Sequence, residues 1–452
     1  MNLKSLLCKY FFAMCLSMLA LLFFLPHTSH GAAQVIVTPR ISLEAYYDTN
    51  IDLDPNNEKD DYIAVCSPGI TLSYFDERKG LDLDYEFGIT RYQDYSENDI
   101  TTHDGTISAW YYVTRHLELS VDDNFRLGND PRDEREETIE TPLGEFLYED
   151  IRESRGRNEY WRNTFRPNLR WEFYRGRYIE LTYTNSRFDN DQEDLTDSME
   201  NIYGGTLGYR FNVRHNVEIE YEFTDAEFDL PEDDQPSEDF TGHDISLAYT
   251  YTFTRHTHLE FRGSYTKRLY DSNEYQEDYD VEEIGATLYH SFSPTFSMYA
   301  GLGYFWRNIQ NNPQQTNPSW ELGITKTGRH WTFNSAFEGG YRERYIDREN
   351  LGYEEFWSVT ADFSHNYHDK WINTFAWAFD HERIGGDEDN TRSTIDFVFT
   401  SRYNINRWLA TEFEYDYLHR IADVDEDEYR DHRVFLRLIA YYDIIRTGPR
   451  SH

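Results

Sequence analysis

Residues 217–223 read Val-Glu-Ile-Glu-Tyr-Glu-Phe, with an apolar or aromatic residue at every odd position and a carboxylate at every even one. A period of two puts the two sets on opposite faces of an extended chain, one greasy and one wet. The unit recurs at residues 81–87, 179–183, 245–253, 413–417 and 434–442. A soluble sandwich also alternates in this way, so the surroundings of these segments must decide the fold.

The aromatic content is 17% of residues, with 37 Tyr, 30 Phe and 10 Trp, while the mean hydropathy is strongly negative. That pairing suits a barrel whose apolar surface is one outer layer with aromatic girdles at two interfaces and a wet interior. After the first 35 or so of the 452 residues the composition is uniform, with no Pro/Gly/Ser-rich linker, so a single domain is expected. A formal charge of −40 would repel a phosphate backbone and excludes nucleic acid as a partner. The charge is expected in solvated loops or, alternatively, in an acidic lumen.

Lys4 and Lys9, the apolar residues 11–25, and Ser29, Gly31, Ala32 and Ala33 have the order of a cleaved signal peptide, so residues 1–33 are expected to be removed. Cys8 and Cys15 lie within that segment, which leaves Cys66 alone and no disulfide framework. No later stretch approaches 18 consecutive apolar residues, so no transmembrane helix is expected. An exported, disulfide-free chain of alternating strands points to the outer membrane of a Gram-negative bacterium, in contact with its lipid and lipopolysaccharide.

From Ile41 onwards, strands of roughly ten residues alternate between tight and long connections. The tight turns are predicted near Glu77, Arg115, Arg175, Arg214, Arg255, Pro294, Gly328, Asp369 and Asn406, and their near-regular spacing reads as a repeated hairpin. Several share a basic pair: Arg115-His116, Arg214-His215, Arg255-His256 and Arg329-His330. The long connections at residues 52–61, 189–197, 229–239, 271–280, 385–390 and 423–431 are acidic and expected to be solvated. The longest, residues 129–158, is the candidate for a loop folded into the lumen. The predicted fold is all-β, a transmembrane antiparallel up-and-down barrel of about 20 strands. Boundary errors would give 16 to 18, with the barrel over residues 34–443 and a short tail over 444–452.

Charge facing lipid costs roughly 2 to 4 kcal/mol at mid-bilayer, so the charged set on each strand belongs inside. Asp82, Asp84, Glu86, Glu180, Glu218, Glu220, Glu222, Glu412, Glu414 and Asp416 are therefore predicted to line the lumen, together with Arg166, Arg170, Arg262, Arg433 and Arg437. Carboxylate rings bias a pore towards cations, and arginine ladders line paths for anionic or polyhydroxylated solutes.

Residues 48–54 alternate acids like a calcium loop but lack the turn glycine and the closing glutamate, so only weak, nonspecific divalent binding by acidic loops is expected. His256 and His258 would share a strand face, yet solvated turn histidines are the commoner case. There is no G-x-S-x-G, Walker loop, H-E-x-x-H or C-x-x-C. Neither a cofactor, a metal centre nor a catalytic residue is expected, and an enzyme is the least favoured reading.

Val37-Thr38-Pro39-Arg40-Ile41-Ser42-Leu43, Tyr47-Asp48-Thr49-Asn50-Ile51, Asp61-Tyr62-Ile63-Ala64-Val65, Ser67-Pro68-Gly69-Ile70 and Tyr92-Gln93-Asp94-Tyr95 are followed far downstream by Arg407-Trp408-Leu409. In order and spacing they resemble an outer-membrane family associated with the PEP-CTERM/exosortase system, akin to the putative β-barrel porin 2 group. The resemblance implies a porin-like barrel in a setting of exopolysaccharide production and surface protein sorting, and it carries over no catalytic residues. Many barrels end on an aromatic residue, whereas here Tyr441-Tyr442 are followed by ten more. The expected activity is a passive channel for polar solutes, or one tied to exopolysaccharide export. The alternative is a non-conducting structural or adhesive barrel whose acidic loops bind cations, polysaccharide or a partner, and a lipid-acting enzyme stands third.

Overall fold

The computed structural model describes residues 33–130, 132–141, 144–153, 157–191, 196–229, 237–272, 277–309, 314–344, 352–368, 370–385, 391–423, 428–443 and 445–447, with backbone alone for residues 132–141, 144–153, 344, 352 and 445–447. The signal-peptide segment predicted at residues 1–33 lies outside them except for its last residue.

Twenty long antiparallel strands form one sheet, each paired with its sequence neighbour, and the first strand, Gln34–Asp48, closes on the last long one, Tyr429–Tyr441. The closing register pairs Asp48 with Arg433 and Glu44 with Arg437. Closure leaves no free edge, which is what lets a sheet sit in lipid. Ile445–Thr447 pairs with Val35, Ile36 and Val37, so part of the stretch read as a tail extends the seam. Strands run from 12 to 17 residues, longer than the ten expected, so their ends stand beyond the hydrocarbon layer.

All nine tight connections fall within about a residue of the predicted turns, and both ends of the barrel chain lie on the turn side. Asp369 itself is outside the described residues. The shared turn chemistry has a local cause. Thr114, Asn212, Thr254 and Asn406 each accept a hydrogen bond from the backbone amide two residues on, at 2.8–3.1 Å, which closes the turn without cross-strand help. Arg115, Arg214, Arg255 and Arg329, each at a tight turn, are exposed.

The convex face is apolar. Leu181, Leu207, Ile219, Leu247, Ile284, Leu288, Leu302, Leu436 and Leu438 are exposed along the middle of their strands. Beside the tight turns lies an aromatic band that includes Phe173, Tyr174, Phe211, Phe253, Phe292, Tyr367, Trp371, Tyr403 and Trp408. Towards the loops a second band forms where Tyr183, Tyr203 and Phe223 meet at ring centroids 5.1 and 6.2 Å apart. From Tyr203 to Phe211 is about 27 Å along the strand, or roughly 20 Å of bilayer after a tilt of about 40°. Two aromatic bands around an aliphatic belt are the outer surface of a membrane barrel.

Candidate functional site

The charged set predicted from alternation lies on the concave face, and its contacts reach past neighbouring strands. Arg40 bonds Asp84 Oδ1 at 2.6 Å and Glu86 Oε2 at 3.1 Å with one strand between. The Tyr178 hydroxyl crosses a strand to donate to Glu218 at 2.5 Å. Gly208 lies beneath that bond, and a Cβ there would stand 2.1 Å from the Tyr178 ring. Contacts that skip a strand are short only on the inside of a curved sheet. Arg170 donates to Glu180 at 2.7 Å, Arg166 Nε to Thr184 at 3.3 Å, and Arg262 to Glu260 at 3.0 Å. Glu220 accepts from Ser246 at 3.4 Å, and Glu222 pairs in register with Gly204 and Asp244. Asp82 pairs with Ser73 and Ser108. Arg437 ties Glu44, Glu412 and Glu414 together, the last two at 3.0 Å.

These residues divide along the barrel axis. On the turn side Arg166, Arg170 and Arg262 are exposed, and Glu218, Glu220 and Glu222 are half-buried. Towards the loops the same concave row continues as Thr224, Ala226 and Phe228, none more than 8% exposed. Tyr160, Phe188, Phe240, Tyr270, Tyr279, Val281 and Phe305 join Ala226 and Phe228 in one buried apolar cluster. The expectation of a wet interior throughout is thus corrected. The loop end holds an aromatic layer because the inward residues there are apolar, a parity that short charged segments further down the strands did not reveal.

Three inward-reaching pieces add to the loop end, the first of them joining this cluster through Tyr353. The first is the hairpin between Trp331–Arg344 and Gly352–His368. Strand Gln315–Thr327 pairs with Trp331–Arg344 only from Trp320↔Gly339 to Thr327↔Thr332, and above that the two separate. Pro318, which has no amide to offer the ladder, and the Gly339-Gly340 pair lie at the parting. The freed hairpin packs its outward parity onto the lumen wall. Arg268 holds Glu343, with three strands between, at 2.5 Å and Asp244 of the adjacent strand at 2.8 Å, and the Tyr279 hydroxyl donates to the same Glu343. Asn317 donates to Glu355 at 2.7 Å, and the Arg307 guanidinium lies 3.7 Å over the Tyr353 ring. The opposite face of the hairpin is fixed by Arg342, which bonds Glu354 at 2.9 Å and also Asp380.

The second piece is the first loop, where Asn50, Ile51 and Leu53 are essentially fully buried. Ile51 packs with Tyr46, Ile63, Tyr92 and Phe435, and Leu53 with Leu418 and Tyr429. The expectation that residues 52–61 are simply solvated is corrected for Leu53 and Asp61. The Asp61 carboxylate accepts the backbone amides of Asp94 and Tyr95 at 3.1–3.2 Å, and the Thr49 hydroxyl donates to Asp431 at 2.9 Å. The segments that carried the resemblance, at residues 47–51, 61–65 and 92–95, therefore meet in one corner.

The third piece is the base of the longest loop. Its arms pair with each other as Arg132–Thr141 and Gly144–Glu153, a sheet separate from the barrel. At the base, Arg433 reaches Asp48 at 3.1 Å, Asp431 at 3.3 Å and Asp130 at 3.2 Å, while Arg157 stands 3.6 Å from Asp48 and over Tyr92. Arg433, predicted as a pore residue, is buried as the hub of this corner, and Asp416 is buried beside it in register.

Arg40, Arg268, Arg307, Arg342, Glu343 and Tyr353 were missed from the sequence. Asn317-Pro318 opposite Gly339-Gly340 was the legible signal for the parting. The described residues hold no group of three His, Cys, Asp or Glu side chains placed to bind a metal ion.

Residues 32–151 match the family described as "Putative beta-barrel porin 2". No curated protein matches the chain. Among solved structures, a mutant of the ferric enterobactin receptor of Pseudomonas aeruginosa is similar at a TM-score of 0.52 and 10% identity, over 90% of this chain and 80% of that one. A siderophore receptor of Acinetobacter baumannii is similar at 0.51 and 7%, over 89% and 80%. At such identity the likeness speaks to the barrel fold.

Proposed function

We propose that the chain is a porin-like outer-membrane channel for polar solutes, biased towards cations and closed at its loop end in the conformation described here. The observation that carries this reading is the exposed, charged concave face on the turn side of a barrel whose convex face is apolar. An aqueous vestibule with fixed charge selects by size and charge and needs no cofactor. Exopolysaccharide or its export machinery as partner, and divalent cations at the acidic loops, belong to the same proposal and rest on the sequence resemblance and loop composition.

The buried loop end favours a second reading, a non-conducting structural or adhesive barrel. Single-channel recording of the refolded mature chain in planar bilayers under a salt gradient separates the two. Steady cation-biased current that loses its bias when Glu218, Glu220 and Glu222 become glutamine supports the channel. A folded, heat-modifiable barrel that stays silent with the hairpin released supports the structural reading.

A further inference from the structure

Where the strand Trp331–Arg344 leaves its neighbour, a recess of about 390 Å³ opens between the hairpin and the lumen wall, within the size range of small-molecule sites. The wall behind it is rich in glycine, with Glu321 and Thr287 lying across Gly301, Ser319 across Gly303, and Gly285 open. Gly285 pairs with Gly303, Gly303 with Ser319, and Gly301 with Glu321. Tyr289 and Tyr299 flank it with ring centroids 5.7 Å apart, and Tyr341 of the hairpin lines it from the other side.

The polar lining is one-sided. Glu283, Glu321 and Glu338 face the recess, and among the described residues lining it Arg262 is the one cation. That guanidinium is already 3.0 Å from Glu260. Three of the hydroxyl donors are turned onto these carboxylates: Ser319 to Glu283 at 2.5 Å, Thr287 to Glu321, and Tyr299 to Glu338 at 3.5 Å. Three carboxylates against one guanidinium leave the lining with an excess of negative charge, with aromatic faces beside it. An anion is repelled, and a neutral polyol leaves the charge uncompensated. A bare metal ion has no coordination set among the described residues.

We propose that this recess binds an organic cation of the amine class, a primary ammonium or guanidinium on a small polar body. The charged head sits between Glu321 and Glu338 and the body lies along the glycine wall against Tyr289 and Tyr299, where cation–π attraction adds to the ion pairs. The assignment goes beyond the channel reading and holds whether or not the barrel conducts.

Isothermal titration of the folded barrel in detergent with agmatine and putrescine tests it, with glucose and acetate as controls. Saturable one-to-one binding of at least one amine, and of neither control, is expected. Glu321→Gln with Glu338→Gln should weaken it by about tenfold or more. Gly285→Leu should abolish it by filling the recess, because a Cβ there meets only ordinary contacts, the nearest at 3.5 Å. Arg166→Gln, on the exposed turn side, should leave it unchanged. Heat-modifiability on gels reports that each variant is folded. Absence of amine binding to a folded barrel, equal binding by glucose, or undiminished binding in the folded glutamine and leucine variants would each overturn the assignment.

Discussion

The turn end and the loop end of the lumen are built from the same strands, yet one is exposed and charged while the other is buried and aromatic. Along the strand His215–Asp229 the change takes four inward residues, from half-buried Glu218, Glu220 and Glu222 to Thr224 at 6% exposure. At the turn end a charged side chain needs only a neighbour and water, as in Arg170–Glu180. At the loop end it needs a complete set of partners, as around Arg433. Exposed ion pairs contribute little to stability, whereas a buried charge that loses its partner is costly. The loop end is thus a folded core placed inside a barrel wall.

The largest break in that comparison should come from Arg433→Ala, which removes the cation shared by Asp48, Asp431 and Asp130 at the closing seam. A loss of about 3 to 5 kcal/mol is expected, read as a lowered urea midpoint of the refolded barrel. Arg170→Ala should stay within about 0.5 kcal/mol by the same measurement. Equal losses would mean that the two ends do not differ in kind.

Leu418→Ala, in the fully buried contact with Leu53 and Tyr429, is expected to cost about 2 to 3 kcal/mol by the same unfolding assay, as removal of packed atoms from a core does. Little loss would show that the first loop does not pack as a core.

Glu343→Gln keeps the shape of the hairpin contact while removing the charge that Arg268 holds. A charge-assisted bond of this kind contributes roughly 1.5 to 3 kcal/mol, so the open fraction in bilayer recordings should rise by about tenfold. An unchanged open fraction would remove the hairpin from any part in closing the lumen.

The smallest effect concerns the first tight turn. Burial alone would raise the Asp76 carboxyl, but the amides of Arg78 and Lys79 and the Tyr74 hydroxyl outweigh it and hold Asp76 below its ordinary value. A lowered folded pKa adds stability above the ordinary carboxylate range, and this is lost as the pH falls through the folded value, below about pH 4. Asp76→Asn should flatten the acid limb of the unfolding midpoint against pH and leave the limb above pH 6 parallel to that of the parent. An unaltered acid limb would discount the turn.

Most of the barrel was legible because alternation, turn chemistry and closure are local or countable. Residues such as Asn212 and Thr254 close their turns with their own side chains, so turn positions followed from composition, and strand number and chain direction followed from the turns. The inward parity of Glu218, Arg170 and Arg437 was legible for the same reason: charge does not face lipid. The division of the lumen was not. Phe228, Phe240 and Phe305 have inward parity like the glutamates, and only their distance from the turns separates a wet wall from a buried one.

Sequence alone determined a closed all-β barrel of about 20 strands with a charged inner face, because a period of two and the cost of charge in lipid leave few alternatives. Tertiary structure alone decided that Trp331–Arg344 parts from its neighbour at Gly339, that Glu343 meets Arg268 across three strands, and that Arg433 serves a buried hub instead of an open wall. Those outcomes depend on contacts between residues tens to hundreds of positions apart. Local periodicity carries no information about which inward-facing side chains will meet across the lumen.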